Sequence, residues 1–182
     1  NVNYILNYIY YLTTINGFIM NIDIIDNKKI YTGRIFSLEK ETLSIDNQII
    51  EMDLIQHPGA VVILPLTDHN SFLLVKQYRH AIGSYCLEFP AGTLETNEEV
   101  LTCAQREIQE EVGYNGKSWK ELGFLHTTPG FCNEKIWGFL TYDLYPSKLP
   151  QDDEEAIEVI DIPIPKLIKM VEDQELTDSK TI

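Results

Sequence analysis

A run of glycines and charged residues between positions 92 and 114 has the types and spacing needed to hold a metal ion. The run reads Gly92-x5-Glu98-x7-Arg106-Glu107-Ile108-x-Glu110-Glu111-x-Gly113-Tyr114. Carboxylate oxygens are the ligands that hard divalent cations such as Mg²⁺ and Mn²⁺ prefer, and these ions keep waters that phosphate oxygens can replace. The spacing therefore indicates a metal site suited to cutting diphosphates.

A helix over residues 97–112 is predicted to carry these carboxylates. Thr96 and Glu99 have the spacing of a capping box, and Gly113 is typical of the left-handed residue that follows a helix. Apolar residues recur every three to four positions, which is typical of a buried stripe. The stripe consists of Leu101, Ala104, Ile108 and Val112.

Glu107, Glu110 and Glu111 lie within one turn on another side of this helix, so their carboxylates are expected to converge. Like charges this close repel and raise one another's pKa unless a cation is shared between them. A divalent cation would meet that need, and the guanidinium of Arg106 could hold a carboxylate bidentately and fix its orientation. A solvated helix face is the ordinary explanation of a glutamate run. The flanking glycines and Glu98 favour the metal site instead.

At these residues the chain resembles the Nudix hydrolases, with Tyr114 standing where an aliphatic residue is more usual. The resemblance implies an α/β/α sandwich around a mixed sheet. It also implies hydrolysis of a nucleoside diphosphate linked to another moiety, with Mg²⁺ or Mn²⁺ as cofactor. The metal ligands that it implies are Glu107, Glu110, Glu111, Glu98 and the backbone carbonyl of Ala91.

The flanking segments are similar to the ADP-ribose pyrophosphatase branch of that family. They are Leu74-Val75-Lys76-Gln77-Tyr78-Arg79-His80, Leu87-Glu88-Phe89-Pro90-Ala91-Gly92, and Thr128-Pro129-Gly130-Phe131 with Glu134 downstream. The branch's Gln-aromatic-Arg motif favours Arg79 as a residue that grips substrate phosphate. Arg34, Glu88 and Pro129 complete the substrate contacts that this resemblance implies.

A catalytic base is expected outside the helix, because the helix glutamates are committed to metal. Glu110 is counted among the catalytic residues as well as among the metal ligands. The acidic stretch Asp152-Asp153-Glu154-Glu155 falls where the branch keeps a mobile loop with such a glutamate. Glu155 is the first choice and Glu154 the second. Solubility is the alternative explanation of an acidic loop.

Composition is consistent with a single catalytic domain. The 182 residues, 44% hydrophobic and 23% charged, suffice for one sizeable core. A net charge of −14 argues against binding nucleic acid through a broad basic surface. Cys86, Cys103 and Cys132 form no Cys-x-x-Cys pair, so neither a disulfide framework nor a zinc site is indicated, and a cytoplasmic location is expected.

The first residues differ from the rest of the chain. Residues 1–19 contain no charged side chain and lack both the positive start of a signal peptide and a sufficiently long apolar run to span a membrane. They are interpreted as an upstream extension ahead of a start at Met20. The alternative is a membrane-surface or partner-binding segment.

Residues 20–58 are predicted to form a small antiparallel sheet. Short β-rich runs occupy 30–36, 42–46 and 48–55, with a turn at Asp46-Asn47. In the branch that the chain resembles, this N-terminal sheet crosses to a second subunit and helps to form the substrate pocket. The resemblance therefore implies a homodimer.

Residues 59–182 are assigned to the catalytic domain. Strands are predicted at 60–66, 136–144 and 157–162, with 72–75 returning as the partner of the first. A helix is predicted at 165–171. Residues 177–182 look like the opening of the branch's last helix, most of which would be missing.

The resemblance implies a Mg²⁺-dependent pyrophosphatase that acts on ADP-ribose or a related ADP-sugar, releasing AMP and, from ADP-ribose, ribose 5-phosphate. A hydrolase of GDP-mannose or another nucleotide sugar is the alternative within the same fold. A catalytically idle nucleotide sensor is the alternative outside enzymes. A sensor would be expected to have lost carboxylates of the motif, and these are all present.

Overall fold

The computed structural model describes residues 22–150 and 157–182, which form ten strands and two α-helices. The strands are β1 (Ile22–Thr32), β2 (Ser37–Ile45), β3 (Gln48–Gln56), β4 (Ala60–Pro65), β5 (Ser71–Arg79), β6 (Ser84–Glu88), β7 (Ala91–Thr93), β8 (Tyr114–His126), β9 (Lys135–Pro146) and β10 (Ile157–Pro163). The helices are α1 (Val100–Glu111) and α2 (Ile164–Glu172). A 3₁₀ turn at His80–Ile82 joins β5 to β6.

The central sheet is mixed, as the family resemblance implied. Its strand order is β7-β4-β9-β8, in which β4 and β9 run parallel and the other neighbours antiparallel. A second, antiparallel sheet has the order β10-β5-β6. Strand β9 confirms the strand predicted at 136–144, and β10 confirms the one at 157–162.

The α/β/α layering follows from the alternation of side chains along β4. Val61 and Ile63 are fully buried in one core cluster, together with Ile108 of α1. Ala60 and Val62 belong to a second cluster, which includes Leu167 of α2. Because successive strand residues point to opposite faces, each face of β4 is covered by a different helix. The predicted sandwich is confirmed.

The N-terminal sheet has the strand order β1-β2-β3. The predicted turn at Asp46-Asn47 is confirmed, since both residues have positive φ angles of 47° and 67°, as a tight hairpin requires. The strand predicted at 30–36 was wrong beyond Thr32. There Gly33 donates a backbone hydrogen bond to the carbonyl of Phe36 at 2.8 Å, which closes a turn before β2.

Strand β3 is attached to the loop between β8 and β9 through its backbone. The amide of Ile55 donates to the carbonyl of Phe131 at 2.7 Å, and the amide of Asn133 donates to the carbonyl of Ile55 at 3.1 Å. The side chain of Asn133 also accepts a hydrogen bond from the amide of His57 at 2.7 Å. The N-terminal sheet is therefore joined to a loop that reaches the cleft described below.

The predicted partner of β4 was wrong. Strand β5 pairs with β10 and β6, and an isolated bridge joins its Phe72 to Leu66, the residue after β4. An apolar run shows that a strand is buried but not which other buried strand lies beside it.

Strand β8 was not predicted at all, because its side chains are mostly exposed and lack a clear apolar alternation.

The C-terminal part differs from its prediction after α2. Helix α2 confirms the helix predicted at 165–171. Residues 177–182, expected to open another helix, form a turn in which the amides of Thr181 and Ile182 donate to the carbonyl of Asp178 at 3.1 and 3.2 Å. Contacts with β6 hold this turn, as shown below.

Three further expectations concern membrane-spanning helices, the cysteines and the first residues. Within the described ranges, no helix has both the length and the apolar character needed to cross a membrane. Cys86 and Cys103 are buried free thiols, and Cys132 is a half-buried one. The predicted extension at 1–19 lies outside the described residues.

Candidate active site

Helix α1 begins later than predicted and ends where predicted. Asn97 has a positive φ of 64°, which is incompatible with a helical turn. Glu99 is the N-cap and makes no capping side-chain hydrogen bond, so the predicted capping box is wrong. Gly113 has a φ of 79° and donates its amide to the carbonyl of Ile108 at 3.1 Å, which confirms it as the stop.

The buried side of α1 differs from the predicted stripe at one position, where Cys103 takes the place of Leu101. Ala104 and Ile108 have no exposed surface, and Val112 is also buried. Leu101, the fourth residue of the predicted stripe, is 39% exposed, while Cys103 is completely buried. This packing fixes the helix on the central sheet, with Glu107 and Glu110 partly exposed and Glu111 buried.

Arg106 lies among three of these carboxylates. Its Nε and Nη2 atoms donate to the two oxygens of Glu98 at 2.9 and 3.0 Å. Its Nη1 donates to Glu107 at 2.7 Å and to Glu110 at 2.9 Å. The hydrogen bonds from Arg106 hold the pKa of Glu98 below its ordinary value, and those to Glu98 raise the pKa of Arg106. One guanidinium thus orients three acidic side chains.

The backbone of β7 lies close to the carboxylates of Glu107 and Glu111. A Cβ atom placed on Gly92 would lie 1.8 to 2.3 Å from the carboxylate atoms of Glu107, so only glycine leaves room for that group. The amide of Ala91 donates to Oε2 of Glu111 at 3.0 Å, and the residue Glu111 is only 8% exposed. Gly92 and Ala91 of β7 therefore lie beside Glu107 and Glu111 of α1.

The carboxylates do not converge as freely as helix spacing suggested. Among residues 22–150 and 157–182, no three acidic, histidine or cysteine side chains are gathered as a ready cluster for an ion. The reason is that Arg106 lies between Glu107 and Glu110, while Glu111 bonds the backbone. The atoms that these residues could offer to a metal are nevertheless all oxygens. Gly92 leaves room for the carboxylate of Glu107. This donor set fits Mg²⁺ or Mn²⁺.

The carboxylates face a cleft of about 640 Å³. Its lining includes Ala91 and Gly92 with Glu107, Glu110 and Glu111, and it also includes Arg34 and Arg79. Arg34 comes from the turn between β1 and β2, and Arg79 comes from the end of β5. Acidic groups that suit a cation and basic groups that suit a phosphate therefore share one cleft.

Three predicted site residues, Glu98, Pro129 and Glu88, do not line this cleft. Glu98 lies outside its lining and is paired with Arg106. Pro129 is exposed on the loop between β8 and β9, and the neighbouring Thr127 and Thr128 line the cleft in its place. The predicted bases Glu154 and Glu155 lie outside the described residues.

Glu88 lies beneath Arg79 and is not part of the cleft wall. It is 2% exposed, and its two oxygens accept hydrogen bonds from Nε and Nη2 of Arg79, each at 2.7 Å. Lys180 also donates to Glu88. Burial would raise the pKa of Glu88, but the hydrogen bonds from Arg79 and Lys180 outweigh it and hold the pKa below its ordinary value.

The structure adds cleft residues that were missing from the predicted set. Glu134 lines the cleft and accepts a hydrogen bond from the hydroxyl of Thr127 at 2.7 Å. Asp178, Ser179 and Lys180 also line it. Glu134 stands beside the quoted Thr128–Phe131 motif and could have been included on that ground. Lys180 carries no such signal, because its partner Glu88 is 92 residues away in sequence.

Comparison with known proteins gives one family and several relatives. The family model described as the NUDIX domain matches residues 56–177. The chain is 34% identical over 160 residues to an ADP-ribose pyrophosphatase of Bacillus subtilis (strain 168), an alignment that covers 86% of each protein. It is 29% identical over 161 residues to a methanol dehydrogenase activator of Bacillus methanolicus, with 87% of each covered. A crystal structure of an ADP compounds hydrolase matches with a TM-score of 0.76 and 25% identity over 88% of each chain.

Proposed function

Since this chain belongs to the Nudix family, we propose that it hydrolyses the diphosphate bond of ADP-ribose or a related ADP-sugar, giving AMP and a sugar phosphate. One observation carries the proposal: the carboxylates of α1 and the two arginines, Arg34 and Arg79, line the same cleft. Carboxylates can hold a divalent cation, and arginines can pair with the phosphate charge that the cation leaves. Similarity to an ADP-ribose pyrophosphatase over most of both chains supports this substrate class.

The acidic part of the cleft is proposed to hold Mg²⁺ or Mn²⁺. Its ligands would be the carbonyl of Ala91 and the side chains of Glu107, Glu110 and Glu111. A bound divalent cation supplies charge neutralisation at the diphosphate and lowers the pKa of the attacking water. Glu98, which Arg106 holds bidentately, would act by fixing that arginine, which in turn orients the ligands.

The basic part of the cleft is proposed to bind the substrate phosphates. Arg79 ends a strand and is anchored by a buried carboxylate, so its guanidinium has a defined place in the cleft. Arg34 would contact the substrate from the N-terminal sheet. A glutamate of the acidic loop, Glu155 before Glu154, is proposed to orient or deprotonate the attacking water.

We further propose that the protein is a cytoplasmic homodimer. Every residue of β1 is exposed, and its large apolar side chains at Ile24 and Tyr31 are 63% and 57% exposed. Apolar side chains displayed along a strand favour burial against another surface. The three free thiols are consistent with a reducing compartment. Light scattering of the purified protein would measure the oligomeric state.

The substrate proposal is tested by assaying the release of phosphomonoesters. ADP-ribose, other ADP-sugars, GDP-mannose and dinucleoside polyphosphates are offered in turn, with Mg²⁺ or with a chelator. We expect AMP from ADP-ribose, abolished by the chelator. Preferred turnover of GDP-mannose would favour the alternative within the family. Tight binding of ADP-ribose without turnover would indicate a nucleotide sensor.

A further inference from the structure

The turn formed by residues 178–181 is attached to β6 and its following segment by hydrogen bonds. The hydroxyl of Thr181 accepts a hydrogen bond from the amide of Phe89 at 2.9 Å, and it donates to Oδ2 of Asp178. Thr181 is 8% exposed and Leu176, just before the turn, is 4% exposed. The turn is therefore fixed on the body of the domain.

Lys180 extends from this turn to the carboxylate that anchors Arg79. Its side chain is 12% exposed, and its Nζ atom contacts Oε2 of Glu88 and Oδ1 of Asp178, the latter at 2.9 Å. The same Oε2 atom accepts the hydrogen bond from Nη2 of Arg79 at 2.7 Å. One buried oxygen is thus shared by two cationic side chains.

Sharing this oxygen limits the positions that Glu88 can adopt. With Lys180 on one side and Arg79 on the other, rotation of the carboxylate would break at least one charged hydrogen bond. Without Lys180, only Arg79 would satisfy the buried carboxylate, and Arg79 would have to follow any movement of it. The orientation of Arg79 in the cleft therefore depends on a residue of the C-terminal turn.

The balance of charge around Glu88 also indicates that loss of Lys180 would weaken substrate binding. Arg79, Lys180, Glu88 and Asp178 carry two positive and two negative charges, which cancel. Removal of the lysine charge leaves this group with a net charge of −1, next to a cleft that must accept an anionic diphosphate. Like charges repel at this range, and the chain already has a net charge of −14.

We propose that Lys180 is a positioning residue for substrate binding, which holds Glu88 and thereby orients Arg79 in the cleft. The proposal rests on the proposed function, because Arg79 is taken to contact the substrate diphosphate. Lys180 itself is engaged by two carboxylates, so its role is exerted through its neighbours. The presence of Asp178, Ser179 and Lys180 in the lining makes the turn a wall of the same cleft.

The kinetic test compares Lys180→Met and Lys180→Arg with the wild type. We expect Lys180→Met to raise KM for ADP-ribose about tenfold while kcat changes by less than about twofold, because a misplaced phosphate contact weakens positioning. Lys180→Arg, which keeps the charge, should restore most of the lost affinity. The matched control is Lys169→Met, which removes an exposed lysine paired with Asp173 on α2. An unchanged KM in a folded Lys180→Met variant would overturn the proposal.

A measurement without substrate separates this proposal from the proposed function. The ¹⁵N-¹H signal of Arg79 Nε, assigned with Arg79→Lys, reports its hydrogen bond to Glu88. We expect Lys180→Met to shift or broaden that signal and Lys169→Met to leave it in place. An unmoved Arg79 signal in Lys180→Met would refute the coupling. If the wild type fails to hydrolyse ADP-ribose, the proposed function fails, while this signal still decides whether Lys180 orients Arg79.

A milder variant covers the case in which Lys180→Met does not fold. Thr181→Val removes the hydroxyl that accepts from Phe89 and leaves Lys180 present. We expect the same changes in KM and in the Arg79 signal, but smaller ones. A folded Thr181→Val variant with both properties unchanged would contradict the claim that the turn sets the orientation of Arg79.

Discussion

Gly92 lies so close to Glu107 that a Cβ atom on the glycine would be 1.8 Å from the carboxylate carbon. Side-chain and backbone atoms cannot approach this closely, so any larger residue must displace the carboxylate. The glycine of the motif therefore acts through the space that it leaves for a proposed metal ligand. Glycine is needed at position 92 for a steric reason, because a larger residue would collide with the side chain of Glu107.

We expect Gly92→Ala to lower kcat about a hundredfold, because the methyl group moves Glu107 out of the place that it needs. Steady-state assays with Mg²⁺ and thermal unfolding of the variant are the measurements. Gly138→Ala is the control, since a Cβ atom there meets its nearest neighbour at an ordinary 3.5 Å. Equal kcat values for the two variants would mean that Glu107 can be displaced without loss of turnover.

Glu107→Gln and Glu111→Gln are each expected to lower kcat by about a hundredfold or more while the fold persists, because loss of one negative charge weakens cation binding and charge stabilisation. Glutamine keeps an oxygen that can still accept the hydrogen bond from Ala91. Turnover at several Mg²⁺ concentrations and circular dichroism check this. Glu99→Gln, on an exposed residue at the start of α1, should retain turnover. A folded Glu107→Gln variant with wild-type kcat would remove that residue from the proposed ligands.

Arg79→Ala is expected to lower kcat/KM for ADP-ribose about a hundredfold, mainly through KM, because it removes a fixed phosphate contact. The loss also leaves Glu88 with only Lys180 as its cationic partner, so stability should fall as well. Kinetics at a temperature well below the melting point separates the two effects. Arg79→Lys should recover part of the stability but little of the affinity, since lysine lacks the bidentate geometry.

Glu155→Gln is expected to lower kcat with little change in KM, because a base acts on the water and not on substrate binding. The expectation rests on the sequence alone, since this loop lies outside the described residues. Glu154→Gln is the paired variant. A normal kcat in Glu155→Gln with a collapse in Glu154→Gln would move the base by one residue. Normal kcat in both would exclude this loop from the chemistry.

The ion pairs of Glu88 predict how stability depends on pH. The folded chain holds the pKa of Glu88 below its ordinary value of 4.5, so the unfolded chain binds more protons near that pH. The stabilisation is therefore complete above about pH 5 and is lost as the pH falls through the folded-state pKa. Urea unfolding of the wild type and of Glu88→Gln at a series of pH values measures it.

The difference in unfolding free energy between these two proteins should be about 3 kcal/mol at neutral pH, the usual scale for breaking a buried ion pair. It should narrow as the pH falls below 4.5. A difference that grows towards acid would contradict the sign of the pKa shift, and a constant difference would mean that glutamine is merely a poor fit.

The sequence predicted the glycine that ends α1 but not the residue at which α1 begins. Gly113 ends α1 because its φ of 79° suits glycine, and such a preference is visible in the sequence. The start of α1 was predicted wrongly, because Asn97 has a positive φ of 64° and the carboxylate of Glu98 accepts from Arg106 and from the amide of Glu95. These partners lie three and eight residues from Glu98, and the spacing of a capping box does not predict them.

Contacts between distant segments account for two of the other differences. Strand pairing could not be read from the apolar runs at β4 and β5, since both are buried whichever strand lies beside them. Lys180 could not be placed near Glu88, because the contact spans 92 residues. The convergence of the glutamates was overestimated for a local reason, because Arg106, which was predicted to hold one carboxylate, lies between Glu107 and Glu110.

The link between β3 and the β8–β9 loop has a consequence for how the protein tolerates mutation. Its hydrogen bonds at Ile55 join backbone atoms, so nearly any side chain at Ile55 or Phe131 leaves them intact. Proline is the exception at positions 55 and 133, because it removes the amide that donates. Side chains at Ile55 and Phe131 can therefore change while the attachment of the N-terminal sheet to a loop of the cleft is retained.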